Sequence, residues 1–226
     1  MTAGKRLFDL GLASVLTIAL APLWLGLAML ILVKDGRPVL FLSERMKTPH
    51  ESFNLWKFRT MRVADDPGTG VSGGDKTERI TATGTILRRI RADEIPQLFN
   101  VLRGDLSFVG PRPPLRVYVE RFPDLYADVL SCRPGITGLA TLVFARHEAQ
   151  LLAACRTPQE TDAVYARRCV PRKARLDRIY ARNRSFTLDL WILTQTLRLV
   201  AGGRLRRPSR QGWAITAENR PSNSTG

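Results

Sequence analysis

The sequence predicts a helix-dominated α+β protein in three parts. These are a re-entrant membrane helix over residues 1–36, a compact domain over 37–203 with amphipathic helices at a membrane interface, and a basic disordered tail over 204–226. Three observations carry this. Leu10–Val33 is a run of 24 residues without a charge. Helical periodicities recur through the middle of the chain, where strand-like stretches are few and short. The last residues are polar and lack an apolar pattern. At 226 residues and 44% apolar, the chain has material for one ordinary core.

The N-terminal run comes first. A helix of that length reaches ~36 Å against a hydrocarbon core of ~30 Å. Three readings compete. A cleaved signal is suggested by Lys5, Arg6 and Ala19-Leu20-Ala21, but Asp9 sits in the charged region and the apolar run continues to Val33. A straight spanning helix is long enough, yet basic residues flank both of its ends. A re-entrant helix keeps both flanks on one face, and Pro22 in mid-run is its natural bend point. The flanking charges favour the third.

Val39–Leu42 and Phe53–Met61 read as short strands, and Val63–Lys76 as a Gly/Asp/Ser-rich loop. Thr83–Arg91 reads as a short basic helix. Ile95, Leu98, Phe99 and Leu102 recur at helical spacing, predicting a helix from near Asp93 that Gly104 ends. Val109–Pro114 is a rigid turn. Leu115–Leu130 is helical with an interruption at Pro123, Arg133-Pro134-Gly135 is a turn, and Thr137–Phe144 reads as extended or irregular. Thr157-Pro158-Gln159-Glu160 has a capping residue, a proline at the first helical position and a Glu three residues on, a helix start. Pro171 opens a helix with Leu176, Ile179 and Tyr180 on one face and Arg175, Arg178 and Arg182 on another, suited to a headgroup boundary. Ser185–Ala201 is a further apolar-striped helix, ended by Gly202-Gly203.

The net charge is +15, and residues 165–226 hold +11 of it. Such a surface meets anions: a membrane face, a phosphorylated substrate or nucleic acid. A membrane-anchored nucleic-acid-binding protein is therefore the alternative class. Against it, Tyr165 and Tyr180 are the only aromatics in the basic segment 165–184, too few for base stacking. Two histidines and three cysteines without a CxxC exclude a Cys/His zinc framework, and the odd cysteine count disfavours a disulfide scaffold.

Asp93-Glu94 opens a helix and is surrounded in sequence by Arg88, Arg89, Arg91 and Arg112. One reading is capping, because carboxylates are favoured in a first helical turn. The other is phosphoryl chemistry. A carboxylate can attack phosphorus, guanidiniums match phosphate oxygens, and a divalent cation offsets the repulsion between the two anions.

The chain resembles the bacterial sugar transferases, the small monotopic phosphoglycosyl transferases. Four motifs in order carry the resemblance: Lys5-Arg6-Leu7-Phe8-Asp9, Lys57-Phe58-Arg59-Thr60-Met61, Asp93–Asn100, and Gly104–Pro113 with its Pro111-Arg112-Pro113 turn. It covers roughly residues 4–200. The resemblance implies transfer of a sugar 1-phosphate from a UDP-sugar to a polyprenol (undecaprenyl) phosphate at the cytoplasmic face of the inner membrane, releasing UMP. The product starts a glycan such as an exopolysaccharide or lipopolysaccharide. It implies a ping-pong route through a phospho-sugar carried on Asp93, with Glu94 as dyad partner and Mg²⁺ held by Asp93 and Glu94. Arg112 and Arg88 are the implied phosphate-binding residues. Lys57 and Arg59 match the Lys-Phe-Arg-Thr-Met motif, for which a phosphate role and a salt-bridged strand are both open. The implied partners are the donor, the acceptor and an anionic membrane surface, without nucleic acid.

The sequence departs from the family pattern in places. The helix bends at Ala21-Pro22 where many members have Ser-Pro, Arg45-Met46-Lys47 replaces Arg-x-Gly, and Gly138-Leu139-Ala140 runs into an unusual Thr141–His147. Larger relatives carry four more membrane helices ahead of this core, so the minimal form is expected here.

Overall fold

A computed structural model describes residues 2–63, 71, 73–203 and 205. It is helix-dominated, with two small two-stranded sheets. The predicted tail lies outside the described residues, Leu205 apart, as do 64–70 and 72 of the predicted loop. The loop's C-terminal end is a 3₁₀ turn, Gly74–Arg79.

The apolar N-terminus forms α1 (Ala3–Ala19) and α2 (Ala21–Asp35), bent by 60°. Among the described residues no single helix is long and apolar enough to cross a membrane, whereas this bent pair passes on length and composition. The chain stops at Leu20 and restarts, which puts Pro22 in the first turn of α2, where its missing N–H costs no helical hydrogen bond. Side chains on either side of the bend stay in the open: Ile18 is 77% exposed, Leu25 60% and Met29 59%.

Both ends of this helical hairpin are fastened to the body. At the start of α1, Lys5 Nζ donates to the Val109 carbonyl at 3.1 Å and pairs with Asp189, and Arg6 donates to the carbonyls of Val101 (2.7 Å) and Leu102 (3.0 Å). At the end of α2, Arg59 Nη2 donates to the carbonyls of Asp35 (2.6 Å) and Gly36 (2.7 Å), and the Thr81 hydroxyl to the Asp35 carboxylate (3.1 Å).

β1 (Leu40–Met46) and β2 (Ser52–Phe58) form an antiparallel pair in which Phe41 faces Lys57 and Arg45 faces Phe53. Side chains alternate across a strand, so Ser43, Arg45 and Lys57 share one face. β1 runs four residues beyond the predicted strand. α3 (Ala82–Arg89) starts at Thr81, whose hydroxyl accepts from Gly84 N at 2.9 Å. The helix predicted from Asp93 is in fact a 3₁₀ turn, Ala92–Glu94, followed by α4 (Gln97–Arg103), because Pro96 interrupts the register of hydrogen bonds. Gly104, at φ +88°, ends α4 as expected.

Leu115–Leu130 divides at Pro123 into α5 (Arg116–Arg121) and α6 (Pro123–Val129). Between α4 and α5 lies β3 (Ser107–Val109), which pairs in parallel with β4 (Gly135–Thr137). The stretch read as extended from Thr137 is helical from Leu139 onward: α7 is Leu139–Ala153. Its apolar residues lie on several sides, and Gly138 offers no side-chain cap, so neither helix signal was visible. α8 (Pro158–Val164) starts as predicted, with the Thr157 hydroxyl accepting from Glu160 N at 3.1 Å. The chain stays helical from there through Pro171. A π turn, Tyr165–Cys169, leads directly into α9 (Val170–Asn183), whose first turn holds Pro171. α10 (Phe186–Val200) is capped by Ser185, whose hydroxyl accepts from Leu188 N at 3.2 Å.

Two larger cores hold the body together, one around Tyr118, Phe144 and Cys169, the other around Val101, Leu106, Leu139 and Ile192. A third, small core joins Ile31 of α2 to Phe58, Leu87 and Ala92. It seats α2 against the segments that carry Lys57, Arg88 and Asp93. On α9, Tyr180 is buried and Leu176 and Ile179 pack on the same cores, so the face read as lipid-facing covers the body instead. Arg175 and Arg182 are exposed.

Candidate active site

The segment Lys57–Met61 builds one wall of the site, and every residue in it has a distinct job. Lys57 Nζ approaches Glu94 Oε1 at 3.9 Å. Phe58 is buried against Trp24, ring to ring at 5.6 Å. Arg59 holds the end of α2 and so does not join the charged cluster around Glu94. The Thr60 hydroxyl accepts from Arg88 Nε at 2.9 Å, and its carbonyl accepts from Thr81 N at 3.1 Å. Met61 bridges to Ile80. α3 presses so closely on this segment that a Cβ at Gly84 would lie 2.1 Å from the Thr60 carbonyl oxygen.

The turn carrying the dyad is set by Arg91, which has the only positive φ (+57°) among the described non-glycine residues. Left-handed backbone at such a residue costs about 1–2 kcal/mol. Backbone of this kind concentrates at functional sites. Arg91 Nη2 donates to Glu94 Oε2 at 2.7 Å, and that contact helps to hold the turn.

Arg112 comes from the other side. β3 and β4 bring Gly110 and Arg133 so close that a Cβ at Gly110 would lie 2.3 Å from the Arg133 carbonyl oxygen. The Pro111-Arg112-Pro113 turn then carries Arg112 Nη2 to within 3.3 Å of Glu94 Oε1. The resulting cluster centres on Glu94, with Arg112 and Lys57 at one oxygen and Arg91 at the other.

Electrostatics separate the two carboxylates. Burial pushes Glu94 up, but Arg112, Lys57 and Arg91 outweigh it and hold its carboxyl at about 2. Asp93 is pushed up from the usual carboxylate value by burial and by Glu94, against the pull of Lys57, Arg91 and Arg88. Asp93 makes no hydrogen bond or ion pair with any described residue. Glu94 is thus the fixed anion of the site, and Asp93 the free one. Burial and Arg112 lower Lys57 to about 8, against Glu94 and Asp93. Burial lowers Arg112, but Glu94 outweighs it and raises the guanidinium overall.

The structure therefore brings together Asp93, Glu94, Arg112 and Lys57. Arg88 lies close enough for Asp93 to act on its charge, while its Nε is spent on Thr60. Pro22 sits at the hairpin bend, away from the chemistry. Two members of the cluster were not read from the sequence as site residues. Arg91 is one. The other is Arg45, lowered to about 10 by burial and by the nearby Arg112. Strand alternation between Arg45 and Lys57 was the available signal. Asn100 is a positioning residue. Its amide donates to the Asn54 carbonyl (2.8 Å) and accepts from Trp56 N (3.0 Å), tying α4 to the strand beside Lys57.

Among the described residues no group of three or more acidic, His or Cys side chains forms a metal cage. Mg²⁺ commonly takes one or two carboxylates plus substrate phosphate oxygens. The unpartnered Asp93 carboxylate fits such a donor set. Both Glu94 oxygens are already engaged by cations, so a metal there would have to displace one of them.

A compact body of this kind, with an arginine-ringed dyad over an apolar helical hairpin, matches a known class. The chain belongs to the bacterial sugar transferase family, whose model matches residues 1–203. It is 34% identical to a UDP-N-acetylgalactosamine-undecaprenyl-phosphate N-acetylgalactosaminephosphotransferase of Aeromonas hydrophila, over 88% of this chain and 44% of the relative. It is 38% identical to a UDP-glucose:undecaprenyl-phosphate glucose-1-phosphate transferase of Xanthomonas campestris pv. campestris, over 73% of this chain and 35% of the relative. A Bacillus subtilis relative known as the uncharacterized sugar transferase EpsL is 35% identical, over 87% of this chain and 86% of its own length. The chain thus spans less than half the length of the first two.

Proposed function

We propose that this protein is a phosphoglycosyl transferase that moves a sugar 1-phosphate from a UDP-sugar to undecaprenyl or another polyprenol phosphate, releasing UMP. The single observation that carries this is the pairing of a free, raised Asp93 carboxylate with a Glu94 fixed by three cations. An Asp93 oxygen attacks the phosphorus bearing the sugar, the bond to the bridging diphosphate oxygen breaks, and UMP leaves. The acceptor phosphate then attacks the same phosphorus and frees the Asp93 carboxylate. Arg112 and Lys57 stand on one side of the dyad to hold phosphate oxygens, and Arg88 stands on the Asp93 side. Glu94 keeps these cations in place before substrate arrives. Mg²⁺ would be held by Asp93, with Glu94 adjoining, and supplies charge neutralisation between carboxylate and diphosphate.

The same reading places the protein on the cytoplasmic face of the inner membrane, with α1 and α2 re-entering that face. Support comes from the fastening of both hairpin ends to one body and from the exposed apolar side chains between them. A spanning helix would leave one end across the bilayer, beyond reach of these contacts. The nucleic-acid alternative gains no support: Arg178, Lys173 and Arg121 pair with acids of the body. The test is incubation with a panel of UDP-sugars, undecaprenyl phosphate and Mg²⁺, scored for UMP. Release with none of the panel would reject the activity.

A further inference from the structure

A cavity of about 590 Å³ lies apart from the dyad and shares no lining residue with the cluster around Glu94. Its walls include Lys5, Arg133, Arg184, Ser185, Phe186 and Asp189. Three cations thus face one carboxylate, and Lys5 alone is paired with it. The Tyr180 hydroxyl, which also lines the cavity, donates to Asp189 at 2.7 Å and helps to hold that anion in place. The other two cations lack a carboxylate partner among the described residues. Among the described residues, Arg184 Nη1 reaches only the Cys132 sulfur, at 3.4 Å, a weak acceptor. Arg133 also lines the cavity; its Nη1 is buried without a hydrogen-bond partner among the described residues, on the side towards Gly104 and Arg6. Two long helices also begin at this cavity. The first turn of α1 contributes Gly4 and Lys5, and the cap and first residue of α10, Ser185 and Phe186, lie at its edge. Helix starts carry free N–H groups and a positive dipole end.

The surroundings indicate where an anion comes from. Phe186, 55% exposed, stacks edge-on against Phe8 at 5.1 Å, and Leu7 beside it is 71% exposed. The cavity therefore combines unpaired guanidiniums with an apolar rim at the start of the membrane hairpin.

We propose that this cavity is a second phosphate-binding site, separate from catalysis, which takes the phosphate group of an anionic phospholipid and so fixes the seating of the body on the bilayer. Free inorganic phosphate offers the same chemistry without the tail, and the experiment separates the two. Full-length protein in detergent is titrated with short-chain phosphatidylglycerol, short-chain phosphatidylcholine or inorganic phosphate and followed by native mass spectrometry. The expected result is a 1:1 phosphatidylglycerol adduct. Arg184→Gln should weaken it at least about tenfold, the size expected for losing one charge-assisted contact. Arg184→Lys should restore part of it. Arg182→Gln, which removes an exposed charge from the same helix outside the cavity, should leave it unchanged, and UMP release in detergent should be unaltered in all three. Equal weakening by Arg182→Gln and Arg184→Gln would mean diffuse attraction and overturn the proposal, as would equal binding of the two lipids. An adduct with inorganic phosphate but not with phosphatidylglycerol would overturn the lipid assignment.

Discussion

Asp93 and Glu94 are adjacent in the chain yet sit in opposite electrostatic states. Glu94 is gripped by Arg91, Arg112 and Lys57 and held at about 2, whereas Asp93 is raised and bonded to no described side chain. When two neighbouring carboxylates are pushed apart in this way, their roles divide: one organises the cations and the other remains free to react.

Glu94→Gln tests the organising role. It leaves Arg112, Lys57 and Arg91 facing a neutral amide. Breaking a buried ion cluster by removing one member costs on the order of 3 kcal/mol. Thermal unfolding should show a clear drop in Tm together with lost turnover. An unchanged Tm would show that these cations do not depend on Glu94.

Lys57 predicts an alkaline limit. In the proposed function it holds phosphate only as a cation, and its folded value is lowered to about 8. In the free enzyme kcat/KM should therefore fall as pH rises through about 8, and Lys57→Arg should move that limb upward. Stability runs the other way. The unfolded chain keeps its lysine proton to a higher pH than the folded one, so the penalty of charging buried Lys57 is present below about 8 and is relieved above it. Glu94 contributes stability above its unfolded value that is lost as pH falls towards about 2. A kcat/KM profile flat from pH 7 to 10 would remove Lys57 from phosphate binding.

Arg59 separates structure from chemistry within one motif. Its guanidinium serves the carbonyls at the end of α2. Arg59→Leu should destabilise the protein by about 1.5–3 kcal/mol, the value of hydrogen bonds from a charged group. KM for the donor should barely move. A large KM increase at unchanged Tm would return Arg59 to the phosphate site.

Gly84→Ala should be poorly tolerated, because its Cβ would meet the Thr60 carbonyl at 2.1 Å. Overpacking of this kind costs about 1–3 kcal/mol. The shift of α3 should also displace Arg88 from Thr60. Circular dichroism melting checks the first effect, and donor KM the second.

Much of the fold was legible because its signals are local. Pro22, Gly104 and the Thr157 cap act within one turn of themselves, and each falls at an element boundary. α7 was missed because it lacks both a polar cap and a single apolar stripe. The helix expected at Asp93 failed because Pro96 and the left-handed Arg91 confine the dyad to a 3₁₀ turn. Within the site, Asp93, Glu94, Arg112 and Lys57 were nominated by motif and do come together. Arg59 was nominated on the same grounds and points elsewhere, since its partners are the carbonyls of Asp35 and Gly36, far back in the sequence. Arg45 and Arg91 were not assigned to the site because their places depend on hairpin register and backbone handedness.

The most direct test is covalent labelling. Protein incubated with a UDP-sugar labelled in the sugar, without acceptor, should retain label on Asp93, and added polyprenol phosphate should chase it into lipid. Asp93→Asn should abolish the label and lower turnover by on the order of 10⁶-fold, as loss of a nucleophile does. An Asp93→Asn protein that still releases UMP at a rate near that of the unaltered enzyme would contradict the account.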